Sequence, residues 1–130
     1  MTMQELLFSF TGRVNRAKFW LTLLAVDIAA TVLLSIVQVA TGSTFVPDAE
    51  GNMPSPGLGA GVIVLIILIA WMWIGLAIGV KRFHDRNKSG WWILINLVPV
   101  IGGLWYLIEC GFLKGTTGPN QYGPDPLASA

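Results

Sequence analysis

Three apolar runs limit what this chain can fold into: residues 19–41, 58–80 and 91–113. Each is 23 residues long by this cut, roughly 34 Å as an α-helix. The hydrocarbon core of a bilayer is about 30 Å thick, so each run is expected to cross it once with some tilt. Composition agrees. Of 130 residues, 54% are hydrophobic and only 12% are charged, against about 25% charged in soluble domains. The chain therefore reads as one all-α integral membrane domain over 1–130. The first run is too long for the apolar core of a signal peptide and carries Asp27, so it is expected to be retained.

The connections follow from local chemistry. In "MTMQELLFSF", Met3, Leu6, Leu7 and Phe10 fall on one helical face, while Gln4, Glu5 and Ser9 fall on others. That spacing predicts a short amphipathic helix within 1–12, lying in the membrane interface. Gly12 ends the pattern, and Asn15 is placed to cap the first span. Residues 42–57 are rich in Gly, Pro and Ser and read as a loop, as does the polar tail 114–130. The stretch "PVIGG", 99–103, offers a bend in the third run. A re-entrant hairpin there would leave each arm about 17 Å of helix, so a single kinked span is expected instead.

Charge supplies the orientation. Seven of the eight bases form two groups: Arg13, Arg16 and Lys18 before the first span, and Lys81, Arg82, Arg86 and Lys88 after the second. The 42–57 loop has none. Short base-rich segments stay cytoplasmic, which puts the N-terminus inside and, after three spans, the tail outside. Asp85 is the only acid among the second group, so it is expected to pair with Arg13 or Arg16 and with Arg82. All seven bases are candidate contacts for anionic lipid headgroups. Bases abutting long apolar runs are a poor fit to nucleic acid.

Polar groups inside the apolar runs are the remaining candidates. Asp27, Thr31, Ser35 and Gln38 share one face of the first span. A carboxylate in hydrocarbon costs at least about 2.5–3.5 kcal/mol, so Asp27 is expected between helices, near Gly75 or Asn96. Gly75 and Gly79 form a GxxxG pair suited to close helix packing. Glu109 is expected near the outer end of the third span, within snorkelling reach of the interface. The single Cys110 and single His84 supply no metal site, and no cofactor motif is present. His84, Asp85 and Ser89 lack the nucleophile elbow and oxyanion-hole motifs that would make a hydrolase, so no catalytic residue is named.

"FTGRVNRAKFW" (10–20), "KRFHDRNKSGWW" (81–92), "LVPVIGG" (97–103) and "GPNQYGPDP" (118–126) occur in this order. Together they resemble the domain of unknown function 805 family of small bacterial inner-membrane proteins, over nearly the whole chain. The resemblance implies a multi-pass inner-membrane protein and carries over no catalytic residues. The leading functional reading is non-catalytic: association with its own copies or other membrane proteins, and binding of anionic lipids. The alternative is an oligomeric transporter or channel for a small solute or proton using Asp27, and the third is a lipid-modifying enzyme built around His84 and Asp85.

Overall fold

The computed structural model describes residues 1–42, 47–52 and 57–127. Parts of the expected 42–57 loop, residues 43–46 and 53–56, and residues 128–130 of the tail lie outside the described residues. The regular structure among the described residues is helical, apart from an isolated bridge between Asn120 and Gly123.

Helix α1 runs Met3–Phe8, shorter than the 1–12 stretch assigned to it. Its start is a capping box: Thr2 Oγ1 accepts from the Glu5 amide at 3.1 Å, and the Glu5 carboxylate accepts from the Thr2 amide at 2.8 Å. Helices α2, Arg16–Thr41, and α3, Leu58–Asp85, are long and apolar enough to cross a membrane. Asn15 caps α2 by accepting from the Lys18 amide at 2.9 Å. Helix α3 stops because Asn87 takes a left-handed conformation, φ 60°. The Lys88 amide then reaches the Phe83 carbonyl and the Asn87 amide the His84 carbonyl, each at 2.9 Å, which is a Schellman stop.

The third apolar run departs from expectation. It is not one span but two short arms folded against each other. Ser89 caps a 3₁₀ helix, Gly90–Leu97, and after a turn at Val98–Val100 the chain forms α4, Ile101–Tyr106, which continues as a π-helical turn, Leu107–Phe112. Val100 sits at the tip with φ 63°, a strained value for a β-branched residue. Contact between the arms is possible because Gly102 has no side chain: a Cβ there would run into the Ile95 carbonyl. The length objection to a hairpin fails because a segment that reverses does not have to cover the bilayer thickness.

The described chain separates into two compact units, Met1–Leu24 with Trp73–Ala130, and Ala25–Met72. In the first, Val14, Phe19, Ile78, Phe83 and Cys110 form the core, with Ile93, Ile95 and Tyr106 packed on it. Tyr106 meets both Phe19 and Phe83, at centroid distances of 5.9 and 6.0 Å. Gly79 is buried where Ile93 and Tyr106 arrive; a Cβ would lie 2.6 Å from Ile93 Cδ1. Gly75 has open space around it, so only one member of the GxxxG pair serves packing within the chain. In the second unit, Asp27 is exposed and bonds to Trp71 of α3, whose Nε1 donates to Oδ1 at 2.7 Å. Asp27 thus has the partner on a neighbouring helix that was expected, but its side chain is exposed and not buried. Asn96 is also exposed and donates to the Ile93 carbonyl of its own helix, and Gln38 is half-buried.

The hairpin yields a paired test. Gly102→Ala should lower the thermal unfolding midpoint in detergent, by about 1–3 kcal/mol of stability, because the backbone of the facing arm must move. Gly103→Ala, with nothing within 4 Å of the added atom, should be neutral or slightly stabilising, since alanine is the better helix former by up to about 1 kcal/mol.

Candidate functional site: a buried guanidinium–carboxylate knot

The site is assembled from four segments of the first unit. Arg13 lies in the extended segment between Gly12 and α2, Arg82 and Asp85 in the last turn of α3, and the carbonyls around them in the π turn and the tail. Arg13 Nε donates to Asp85 Oδ1 at 3.0 Å, and Nη2 lies 2.9 Å from the same oxygen. Arg82 Nη1 grips Asp85 Oδ2 from within its own helix. The side chains are almost sealed from solvent, at 1% exposure for Arg13, 0% for Arg82 and 5% for Asp85. One carboxylate thus holds two buried cations. Arg16, the other candidate partner, is not on Asp85; it donates to the Phe112 carbonyl at 2.8 Å.

Two arginines on one acid leave a charge excess, which backbone oxygens absorb. Arg13 Nη1 donates to Gly118 O at 2.8 Å and Gly123 O at 3.2 Å, and Nη2 donates to Thr116 O at 2.5 Å. Four of the five donors of this guanidinium are thus hydrogen-bonded, and Nη2 also lies in ion-pair contact with Asp85 Oδ1. Arg82 Nε donates to Cys110 O at 2.7 Å, Nη1 to Val14 O at 3.3 Å and Nη2 to Leu113 O at 2.5 Å. Trp20 Nε1 takes Gly111 O at 2.8 Å, and Arg86 takes Lys114 O at 2.6 Å. Carbonyls at a helix C-terminus have no partner within the helix and carry the negative end of its dipole. Those ending the π turn are capped by three arginine contacts and the Trp20 indole from elsewhere in the chain.

The tail closes the knot. Asp85 O accepts from the Thr116 amide at 2.6 Å, and Gly115 is needed beside it because a Cβ would overlap Asp85 Oδ2. Tyr122 stacks on His84 at 4.0 Å between centroids, Asn120 Nδ2 donates to His84 O at 2.9 Å, and His84 Nδ1 is 3.0 Å from Gly12 O. Amides of Leu127 and Gly118 bond the Asp125 carboxylate and hold it below the usual carboxylate range. Lys81, fully buried, donates to the Glu5 and Leu6 carbonyls and caps α1.

Glu109 forms a second cluster at the same end. Its carboxylate lies 2.6 Å from Lys88 Nζ and 3.5 Å from Arg86 Nε, and accepts from Trp105 Nε1 at 2.7 Å. The expected place near an outer interface is corrected: the reversal of the third run returns Glu109 to the base-rich turn after α3. Lys88 also sits over Trp92 at 4.6 Å.

Chemically the knot is saturated. Both oxygens of Asp85 are held by guanidinium groups, and Ser89 Oγ accepts from the Trp91 amide as a helix cap. Arg13, Lys81 and Arg82, expected among the headgroup contacts, are buried and occupied. Arg16, Lys18 and Lys114 are exposed, and Arg86 and Lys88 partly so. The acceptors that complete the knot were invisible to a reading by residue type, because they are backbone carbonyls. The one available signal was the density of Gly, Pro and Asn in "GPNQYGPDP", which favours tight turns over an extended tail.

Asp85→Asn should cost about 3–5 kcal/mol in denaturant unfolding, since it leaves two guanidinium groups buried without a counter-charge. A double-mutant cycle of Arg13→Gln with Asp85→Asn should show coupling of at least about 1 kcal/mol, and one of Arg16→Gln with Asp85→Asn should show almost none.

Residues 7–124 match the family described as protein of unknown function, DUF805. The chain is 29% identical over 118 residues to inner membrane protein YhaI of Escherichia coli K12, covering 90% of this chain and 85% of that one. It is 31% identical over 117 residues to inner membrane protein YhaH of the same strain, covering 90% and 86%. It is 29% identical over 149 residues to the uncharacterized protein YiiR, covering 96% and 90%. No solved structure matches the chain.

Proposed function

The chain belongs to the DUF805 family, and from that premise we propose a non-catalytic inner-membrane protein that binds anionic phospholipid headgroups at its cytoplasmic end and associates with other membrane helices. In this reading α2 and α3 cross the bilayer, 90–112 dips in and returns, and α1 lies in the interface. The N-terminus and the tail then share the cytoplasmic side. The bonds from Arg13 to the Thr116, Gly118 and Gly123 carbonyls support this topology, and so does the contact of Glu109 with Lys88.

The observation that carries the headgroup reading is the separation of the bases into two sets. Arg13, Lys81 and Arg82 are buried, while Arg16, Lys18 and Lys114 keep exposed cations in the same unit. Arg16 bonds the Phe112 carbonyl and Arg82 the Leu113 carbonyl, so the chain at Lys114 is brought to the start of α2. Trp20, 41% exposed, lies beside them on α2, as an interfacial tryptophan does. Transport through Asp27 is the second reading. The carboxylate is exposed even while it holds Trp71, so such a path would run between chains.

Two measurements test this. A thiol at Gln121, introduced by Gln121→Cys in a Cys110→Ala background, should resist a membrane-impermeant maleimide in intact spheroplasts and react after permeabilisation; reaction in intact spheroplasts would overturn the topology. Native mass spectrometry should show preferential retention of phosphatidylglycerol over phosphatidylcholine. That preference should fall roughly fivefold for each base removed in Arg16→Gln, Lys18→Gln and Lys114→Gln, and an unchanged preference in the triple variant rejects the headgroup site.

A further inference from the structure

Within the unit Ala25–Met72, one face of α2 presents Asp27, Thr31 and Ser35 on successive turns, all exposed. The Thr31 hydroxyl donates to the Asp27 carbonyl at 2.8 Å, and the Ser35 hydroxyl to the Thr31 carbonyl at 2.8 Å. A hydroxyl has one proton, so both are occupied within the helix and only lone pairs point outward. Asp27 Oδ1 receives the Trp71 indole, while Oδ2 has no partner among the described residues. The face is therefore a row of acceptors headed by a carboxylate.

Its position makes this row consequential. Asp27 lies about 16 Å along the helix from Arg16, close to mid-depth of a hydrocarbon core about 30 Å thick. An ionised group turned toward lipid there is strongly unfavourable, and such residues pair inside assemblies. A second copy does not supply the missing charge. The bases of α2 are Arg16 and Lys18 and those of α3 are Lys81 and Arg82, each pair at one end of its helix. Two parallel copies meeting on this face would set carboxylate against carboxylate and acceptor against acceptor.

We infer that this face of α2 docks a transmembrane helix of a different membrane protein, one that carries a Lys or Arg at mid-span, with the cation on Asp27 Oδ2 and the neighbouring turn of the partner along Thr31 and Ser35. Charge complementarity selects the partner: the face offers acceptors and a negative charge, and a membrane-embedded cation has the matching need for donors to be received. The inference rests on the helix-association part of the proposed function. Headgroup retention, measured on the same variants, stands or fails separately.

The test uses the full-length protein, labelled through Gln121→Cys in the Cys110→Ala background and reconstituted in phosphatidylcholine vesicles. The probe is an acceptor-labelled, leucine-rich transmembrane peptide with one central Lys, compared with the all-leucine peptide by energy transfer. The Lys peptide should associate about tenfold more tightly. Asp27→Leu and Asp27→Asn should remove that preference, and Asp27→Lys should transfer it to a peptide with a central Asp. Unaltered helicity and unfolding midpoint in each variant confirm that the comparison is between folded proteins. Equal binding of the two peptides overturns the inference, as does a preference that survives Asp27→Leu. Asp27-dependent energy transfer between copies of the protein in the absence of peptide also overturns it, because the occupant would then be a second copy.

Discussion

Asp85 is the residue on which the first unit depends. A buried guanidinium is tolerated only with a counter-charge and a full set of acceptors. Arg13 and Arg82 are both buried, and among the described residues the one acid paired with either is Asp85. The carboxylate is the last residue of α3, where the helix dipole alone would favour a cation. Its neighbours reverse that preference. Two guanidinium groups held within 3 Å outweigh a partial charge at a helix end, so an acid is stable where an isolated helix would prefer a base.

The same balance organises the third apolar run. A segment that reverses exposes the carbonyls at the end of its returning arm. Cys110, Gly111, Phe112, Leu113 and Lys114 all offer oxygens near the start of α2 and the end of α3, and each receives a donor from Arg82, Trp20, Arg16 or Arg86. Charged side chains that a topological reading assigns to a membrane surface act here as a polar core. They join an N-terminal segment, a helix end and a tail that are far apart in the chain. The cations left exposed are few, which narrows any headgroup contact to Arg16, Lys18, Lys114 and the partly shielded Arg86 and Lys88.

In the unit Ala25–Met72 the balance is incomplete within a single chain. Asp27 keeps one oxygen without a donor among the described residues, and the hydroxyls beside it are turned to their own backbone. A knot whose carboxylate is held on both oxygens and a face with an open carboxylate oxygen differ in what they can still bind. The first stabilises its own unit, and the second retains capacity for an external partner.

The sequence by itself determined what depends on local pattern and composition. The apolar runs establish a membrane chain, and those of α2 and α3 became helices, α3 continuing past its apolar limit through Asp85. Gly12 and Asn15 mark the break and the cap before α2. The lone acid among seven bases singles out Asp85 as a counter-charge. Tertiary structure decided the choice of Arg13 over Arg16, because reach is set by where the 12–15 segment lies and not by charge. It also decided the reversal of 91–113. Its apolar length satisfies a span and a hairpin equally; the deciding features are the absent side chain of Gly102 against Ile95 and the arginines that await the returning carbonyls. The tail remained unread for the same reason. Its part in the knot belongs to the oxygens of Thr116, Gly118 and Gly123, and every residue has such an oxygen, so only position distinguishes them.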